Sequence, residues 1–279
     1  MRARTIMIQG TASSVGKSLL TAALCRIFRQ DGWRVAPFKA QNMNPYTYKT
    51  ADGLEISHPQ GIQAEAAGVA PTPDMNPVIL KPMTDCTSEV VIHGRSRGIM
   101  HYRTYSQQGY EEAAAAIRTS LARLKEAFDI VVLEGAGSPA EVNLRERELV
   151  NMRIAAWAEA PVLLVADIDR GGALAALVGT LELLEPEERD RVKGLIINKF
   201  RGDRSLLKPA LDFLEQRTGR PVVGVVPYLP LPLGEEDGPL LGDSGARAER
   251  EALYDRLAVA VREALDMERI YRIMGLGPR

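Results

Sequence analysis

The residues best able to do chemistry gather where a short apolar run meets a glycine-rich turn. In "IQGTASSVGKSLL" (8–20), Gly10 and Gly16 enclose five residues, Thr11, Ala12, Ser13, Ser14 and Val15, and Lys17-Ser18 follow at once. A turn of this kind between a buried strand and a helix points backbone N–H groups and the positive helix end at one spot, which suits phosphate. Thr11, Ser13, Ser14, Val15 and Gly16 would then line a nucleotide, Lys17 would reach its terminal phosphates, and the Ser18 hydroxyl would ligate Mg²⁺. The common form of the motif has four residues between its glycines, so the fifth marks a variant.

Other candidates sit where apolar runs end, the position at which open α/β sheets bind ligands. Glu134 closes "DIVVLE" ahead of Gly-Ala-Gly and would sit beside a bound Mg²⁺, which needs only one or two carboxylates. Asp52 and Glu55 in "TADGLEI" are further metal candidates, although Asp-Gly equally marks a turn. Lys39, ending "RVAPFK", is either a solvated strand-end lysine or a second cation for a transferring phosphoryl group. With Lys17 and Glu134 it forms the expected catalytic set. Asn198 and Lys199 end "VKGLIINK"; the Asn198 amide suits either an adenine edge or a capping role. Asp167, Asp169 and Arg170 in "VADIDRGG" either bind substrate or metal, or pair with one another.

The elements that must position these residues follow from periodicity. Strands are expected at 5–10, 34–40, 129–137, 160–169, 192–200 and 220–230, with helices at 17–32, 111–128, 171–184 and 205–219 and one last helix over 249–275. Continuous Val/Ile/Leu runs suit strands buried on both faces, so the fold class is α/β with a mostly parallel sheet flanked by helices. Residues 40–105, rich in Pro, Asn, Met and Thr, are expected to form an irregular excursion carrying substrate contacts rather than core, and 230–248 a surface loop. No repeat or linker divides the chain, so 1–279 is expected to be one domain.

The 279 residues carry 35 Lys+Arg against 36 Asp+Glu, a net charge of −1, which offers no footprint for nucleic acid. No run is apolar enough to span a bilayer, and the basic N-terminus leads straight into the loop rather than into a signal sequence. Two cysteines, Cys25 and Cys86, and three scattered histidines match no disulfide or zinc spacing. A reduced, cytoplasmic protein is expected.

Together, "QGTASSVGKSLL", "ALCRIFRQDGWRVAPFKAQNM", "TADGLEI", "QAEAAG", "MNPVILKP", "EGAGSPAEVNL", "VNMRIAAWAEAPVLLVADIDRGG", "INKFRGD" and "PVVGVVPYLP" resemble the ATP-dependent synthetase domain of the cobyric acid synthase family. That domain belongs to the dethiobiotin-synthetase-like group of P-loop NTPase folds, whose loop has the wider five-residue gap. The matching strings run in family order from Ile8 to about Asp237. The resemblance implies a ligase that uses ATP and Mg²⁺ to activate corrinoid side-chain carboxylates as acyl phosphates, which ammonia then attacks. It adds Pro227 to the expected nucleotide contacts, and Gln41, Asn42, Lys81, Ser138, Asn143, Asp169 and Arg170 to those of the substrate.

Two departures qualify it. The family carries a C-terminal glutaminase domain with a reactive cysteine, whereas neither Cys25 nor Cys86 stands in a nucleophile context. The expectation is therefore free ammonia, a separate glutaminase subunit, a truncated form of a longer protein, or a different role. The excursion reads "NMNPYTYKTADGLEISHPQ" (42–60), where Pro45, Tyr46, Lys49, His58 and Pro59 change bulk and charge, so a changed carboxylate substrate stays open. A dethiobiotin-type ligase, a non-catalytic ATP-binding relative and a ParA/MinD-like switch are the alternatives. No membrane or nucleic-acid partner is expected, and a homodimer is open by analogy of fold.

Overall fold

A computed structural model describes residues 3–230 and 247–277. The expected surface loop at 230–248 lies outside the described residues except at its two ends. The elements are β1 (Arg4–Gly10), α1 (Lys17–Gln30), β2 (Val35–Phe38), β3 (Gln41–Met43), β4 (Thr47–Lys49), β5 (Glu55–Ser57), α2 (His58–Ala67), β6 (Val78–Thr84), β7 (Thr87–Ile92), β8 (Arg95–His101), α3 (Tyr102–Thr104) and α4 (Tyr110–Ala127). They continue with β9 (Ile130–Glu134), α5 (Met152–Ala158), β10 (Val162–Asp167), α6 (Ala173–Leu183), α7 (Pro186–Arg191), β11 (Val192–Phe200), α8 (Lys208–Thr218), β12 (Val222–Pro227), α9 (Arg247–Ala264) and α10 (Met267–Ile273).

The main sheet has the order β12-β11-β10-β1-β9-β2 with every neighbouring pair parallel. Successive residues of each strand face opposite sides, and both sides are covered. Met7, Leu133, Leu164 and Ile197 join one apolar cluster; Ile8, Val132, Val165 and Ile196 join the other. Because β1 sits between β9 and β10, the connections leave it in both directions and open a crevice at its carboxyl end, the place where such sheets bind ligands. Every sheet strand delivers a candidate residue to that edge.

The excursion differs from expectation. Its β3, β6, β7 and β8 form a second sheet, β4 and β5 a hairpin, and Val78, Leu80, Val90 and Ile92 are buried in the same cluster as Met7 and Leu133. It therefore supplies core as well as surface. The last helix is also broken: Asp266 leaves the helical line to donate its N–H to Val223 O at 2.7 Å, and its side chain caps α10 at Arg269 N. Helical spacing on both sides of the break hides it from a periodicity reading.

Cys25 is fully buried on α1, and burial, with a smaller contribution from the Glu134 charge, pushes its thiol far above its ordinary range, while Cys86 is exposed. Only thiolate reacts. A maleimide should label one thiol per native chain and two after denaturation, as counted by mass spectrometry; rapid labelling of both in the native chain would contradict this placement of α1.

Candidate functional site

The loop 11–16 leaves β1 at the sheet's carboxyl edge, with Thr11 N donating to Val165 O at 2.9 Å. Ser14 (φ 58°) and Gly16 (φ 99°) both adopt positive φ, which curls the backbone so that the first turn of α1 opens towards the crevice. Gly16 itself precedes α1 and offers its first turn no capping side chain, the arrangement that suits an anion at a helix N-terminus. Lys17 is buried against the loop, its Nζ 3.0 Å from Ala12 O.

Two side chains from β11 brace the loop from below. Asn198 Nδ2 donates to Val15 O at 2.8 Å, and Lys199 Nζ donates to Ser14 O at 2.7 Å while pairing with Asp167 at 2.9 Å. Of the roles open to Asn198, the backbone-bracing one is expressed here by the amide nitrogen. Asp167 also pairs with Arg170 at 3.7 Å, and the exposed Asp169 pairs with Arg201 at 3.0 Å. The acidic-basic cluster is therefore an ion-pair network in this state. Arg201 lies 3.5 Å over the Tyr228 ring, next to the exposed Pro227 that ends β12.

Glu134 is the centre of the site. The register Phe38↔Leu133 sets Lys39 beside Glu134 one step further along, and Ile8↔Glu134 sets Glu134 beside the start of the loop. One carboxylate oxygen, Oε1, accepts from Ser18 Oγ at 2.7 Å and from Lys39 Nζ at 2.7 Å. The other, Oε2, accepts from Gln63 Nε2 at 2.5 Å and from Gln60 Nε2 at 3.4 Å, both on α2. Burial opposes ionisation of Glu134, but the Lys39 charge and these hydrogen bonds outweigh it and hold the carboxyl below its ordinary range.

Ser18, Lys39 and Glu134 are thus joined by direct hydrogen bonds, and Lys17 lies next to Ser18 in the chain with its Nζ turned to Ala12 O. Ser18 Oγ beside a charged carboxylate at a helix N-terminus is a donor set that fits Mg²⁺, the remaining positions being left to waters and phosphate oxygens. Among the described residues, no cluster of three or more His, Cys, Asp or Glu side chains forms, so one carboxylate would carry the metal's protein charge. Asp52 lies on an exposed turn, where Thr50 Oγ1 donates to it; that hydrogen bond holds its carboxyl below the ordinary value. The turn role noted for it is the one its contacts express.

The remaining substrate candidates are distributed. Asn42 is buried on β3, its Nδ2 donating to Ser57 Oγ at 2.6 Å and Gln60 Oε1 at 3.2 Å. Gln41 accepts from Tyr105 Oη, and Lys81 pairs with Glu55 at 2.5 Å and Glu89 at 3.5 Å. Ser138 is buried on the loop after Glu134, and Asn143 is exposed on the 3₁₀ turn Val142–Arg147. Sequence reasoning missed Gln60 and Gln63: neutral amides do not stand out, although their i, i+3 spacing puts both on one helix face.

The family model described as "CbiA: CobQ/CobB/MinD/ParA nucleotide binding domain" matches residues 6–232, which takes in the loop and all of the main sheet but the first two residues of β1. The chain belongs to this family. Its fold is accordingly a P-loop nucleotide-binding one. The chain is also similar to proteins named cobyric acid synthase: 58% identical over 250 residues to that of Pelotomaculum thermopropionicum, covering 89% of this chain and 48% of the relative. To that of Desulforamulus reducens it is 60% identical over 227 residues, 81% of this chain and 44% of the relative. To that of Sorangium cellulosum it is 57% identical over 263 residues, 94% and 50%. The chain thus spans about half the length of the curated relatives it matches. The GDP complex of the signal recognition particle receptor FtsY from Elizabethkingia anophelis is similar at 18% identity and a TM-score of 0.49, covering 91% of this chain and 64% of that one, a likeness too slight to bear on the site. No helix among the described residues is long and apolar enough to cross a membrane.

Proposed function

We propose that this chain is the synthetase part of a cobyric acid synthase-type enzyme, a ligase that converts corrinoid side-chain carboxylates to amides at the cost of ATP. The observation that carries it is Glu134, one buried carboxylate that touches the nucleotide loop through Ser18, the second lysine through Lys39 and the excursion through Gln60 and Gln63. The strong likeness to cobyric acid synthases supports the choice of substrate.

A carboxylate does not react with ammonia at neutral pH because oxide is too poor a leaving group. In the proposed reaction a substrate carboxylate oxygen attacks the γ-phosphorus of ATP, ADP departs, and ammonia then attacks the acyl carbon of the acyl phosphate. Phosphate leaves and the nitrogen gives up a proton to yield the amide. Lys17 and the N–H groups of the loop bind the phosphates, and Lys39 stands ready for charge that builds on the transferring group. Mg²⁺, held by Ser18 with Glu134 beside it, would neutralise phosphate charge. No nucleophile from this chain takes part, in keeping with the inert Cys25.

The test is ADP release by the purified chain with ATP, Mg²⁺ and ammonium, with and without cobyrinic acid a,c-diamide. Corrinoid-stimulated release together with the mass change of amidation is the expected result. Nucleotide binding with no corrinoid response would overturn the substrate assignment and favour a different carboxylate, with 42–60 the segment to examine.

A further inference from the structure

The excursion does more than flank the nucleotide site. Its polar side chains are buried and bonded in series. Gln63 Nε2 spans Glu134 Oε2 at 2.5 Å and the backbone carbonyl of Ser18 at 3.3 Å, tying the carboxylate to the first turn of α1. Gln60 Nε2 reaches Glu134 at 3.4 Å, and Gln60 Oε1 is fixed by Asn42 Nδ2 at 3.2 Å. Asn42 also donates to Ser57, whose N–H donates to Asn76 Oδ1 at 3.0 Å, and Asn76 Nδ2 returns to Lys39 O at 2.8 Å. Ser57, Gln60, Gln63 and Asn76 are each at most 1% exposed.

This loop of bonds begins at Glu134 and ends at the backbone of its partner Lys39. Buried amides cost stability unless every donor and acceptor is placed, so a closed circuit of them rigidifies whatever it holds. What it holds is the single carboxylate beside Ser18. A third and fourth charged group at these positions would repel Glu134 or compete with it for Lys39; uncharged amide N–H groups satisfy Oε2 and leave the ion pair's charge unchanged. Orientation of a metal-side carboxylate by outer hydrogen-bond partners commonly matters about 10–100-fold in metal affinity or activity.

We propose that Gln63, supported by Gln60 and Asn42, is a positioning residue that fixes Glu134 against Ser18 so that Mg²⁺ and the nucleotide phosphates are bound together. Asn42 then acts through Gln60, since its amide nitrogen is already bonded on both sides, and not by touching substrate. The catalytic half of this inference rests on the ligase reading above; the Mg²⁺ half does not.

The test uses Gln63→Met, which keeps the volume of the side chain and removes its donor, with Gln60→Met as the milder second variant. Titration with a fluorescent ATP analogue at a series of Mg²⁺ concentrations is the first readout. Q63M should need about tenfold more Mg²⁺ for half-maximal nucleotide binding, while affinity without Mg²⁺ stays near wild type. Where the wild-type chain shows corrinoid-dependent ADP release, Q63M should lower kcat by about tenfold with the corrinoid KM unchanged. Circular dichroism melts report whether each variant folds, and Q60M serves if Q63M does not. A folded Q63M, or Q60M in its place, with the wild-type Mg²⁺ requirement would overturn the proposal. Absence of corrinoid response in the wild type would instead overturn the corrinoid assignment, and the Mg²⁺ titration would still decide the role of Gln63.

Discussion

Glu134→Gln should destabilise the chain by about 3–5 kcal/mol, because it takes the counter-charge from a buried ammonium. The Lys39 side chain is 4% exposed and Glu134 is fully enclosed, so water cannot replace the lost partner. The substitution is isosteric, but its new amide nitrogen must face one of the donors now bonded to the carboxylate, Lys39 and Ser18 on one side or Gln60 and Gln63 on the other. Thermal melts should fall by roughly 10 °C, taking about 2–4 °C per kcal/mol for a chain of this size. ATP turnover should fall on the order of 10²–10³-fold, the scale of losing a fixed electrostatic group at phosphoryl transfer. Lys39→Met should cost less stability, since the carboxylate it leaves behind keeps its bonds from Ser18, Gln60 and Gln63. The double variant Lys39→Met/Glu134→Gln separates the two effects. It removes both charges, so it should recover much of the stability lost in E134Q while staying inactive. A double variant no more stable than E134Q would show that the ion pair is not what Glu134 contributes to the fold.

That pair was half legible in the sequence. Lys39 and Glu134 each end an apolar run, and a parallel sheet brings the ends of its strands to one edge. What the sequence could not give was the order β1-β9-β2, which makes two residues distant in the chain neighbours in space. The main strands themselves were readable for a physical reason: they are buried on both faces, so nearly every position is apolar and the signal is continuous. The excursion was not, because its buried positions include Asn42, Ser57, Gln60, Gln63 and Asn76. These side chains satisfy one another across four separate segments, and a reading of hydrophobic periodicity scores each of them as surface. The break at Asp266 escaped for a related reason, as a bond to Val223 in another element decides it.

The loop was the most legible part, yet its support came from a residue whose role was ambiguous. Asn198 offered an amide to either adenine or backbone, and only the register Asp167↔Asn198 with the loop lying above it shows the backbone being served. This makes a sharp test of Gly16, whose φ of 99° lies outside what other residues readily adopt and whose missing Cβ would fall 2.2 Å from Asn198 Nδ2. Gly16→Ala therefore meets two obstacles. The positive φ costs about 1–3 kcal/mol. The clash cannot be relieved by a small rotation, because moving the buried Asn198 amide breaks its bond to Val15 O and leaves both groups unpaired, a further loss of about 1–3 kcal/mol. With the loop and the first turn of α1 proposed as the phosphate site, nucleotide affinity should fall on the order of 100-fold, the equivalent of about 3 kcal/mol. Gly137→Ala supplies the comparison: its φ is also positive, 56°, but no atom lies within 4 Å of the added Cβ. It should cost only the backbone part and bind nucleotide as the wild type does. Adding Asn198→Ala to G16A removes the clash and not the φ, so the double variant should regain part of the affinity at most. Wild-type nucleotide binding by G16A would mean that the turn after β1 does not hold phosphate in the form described.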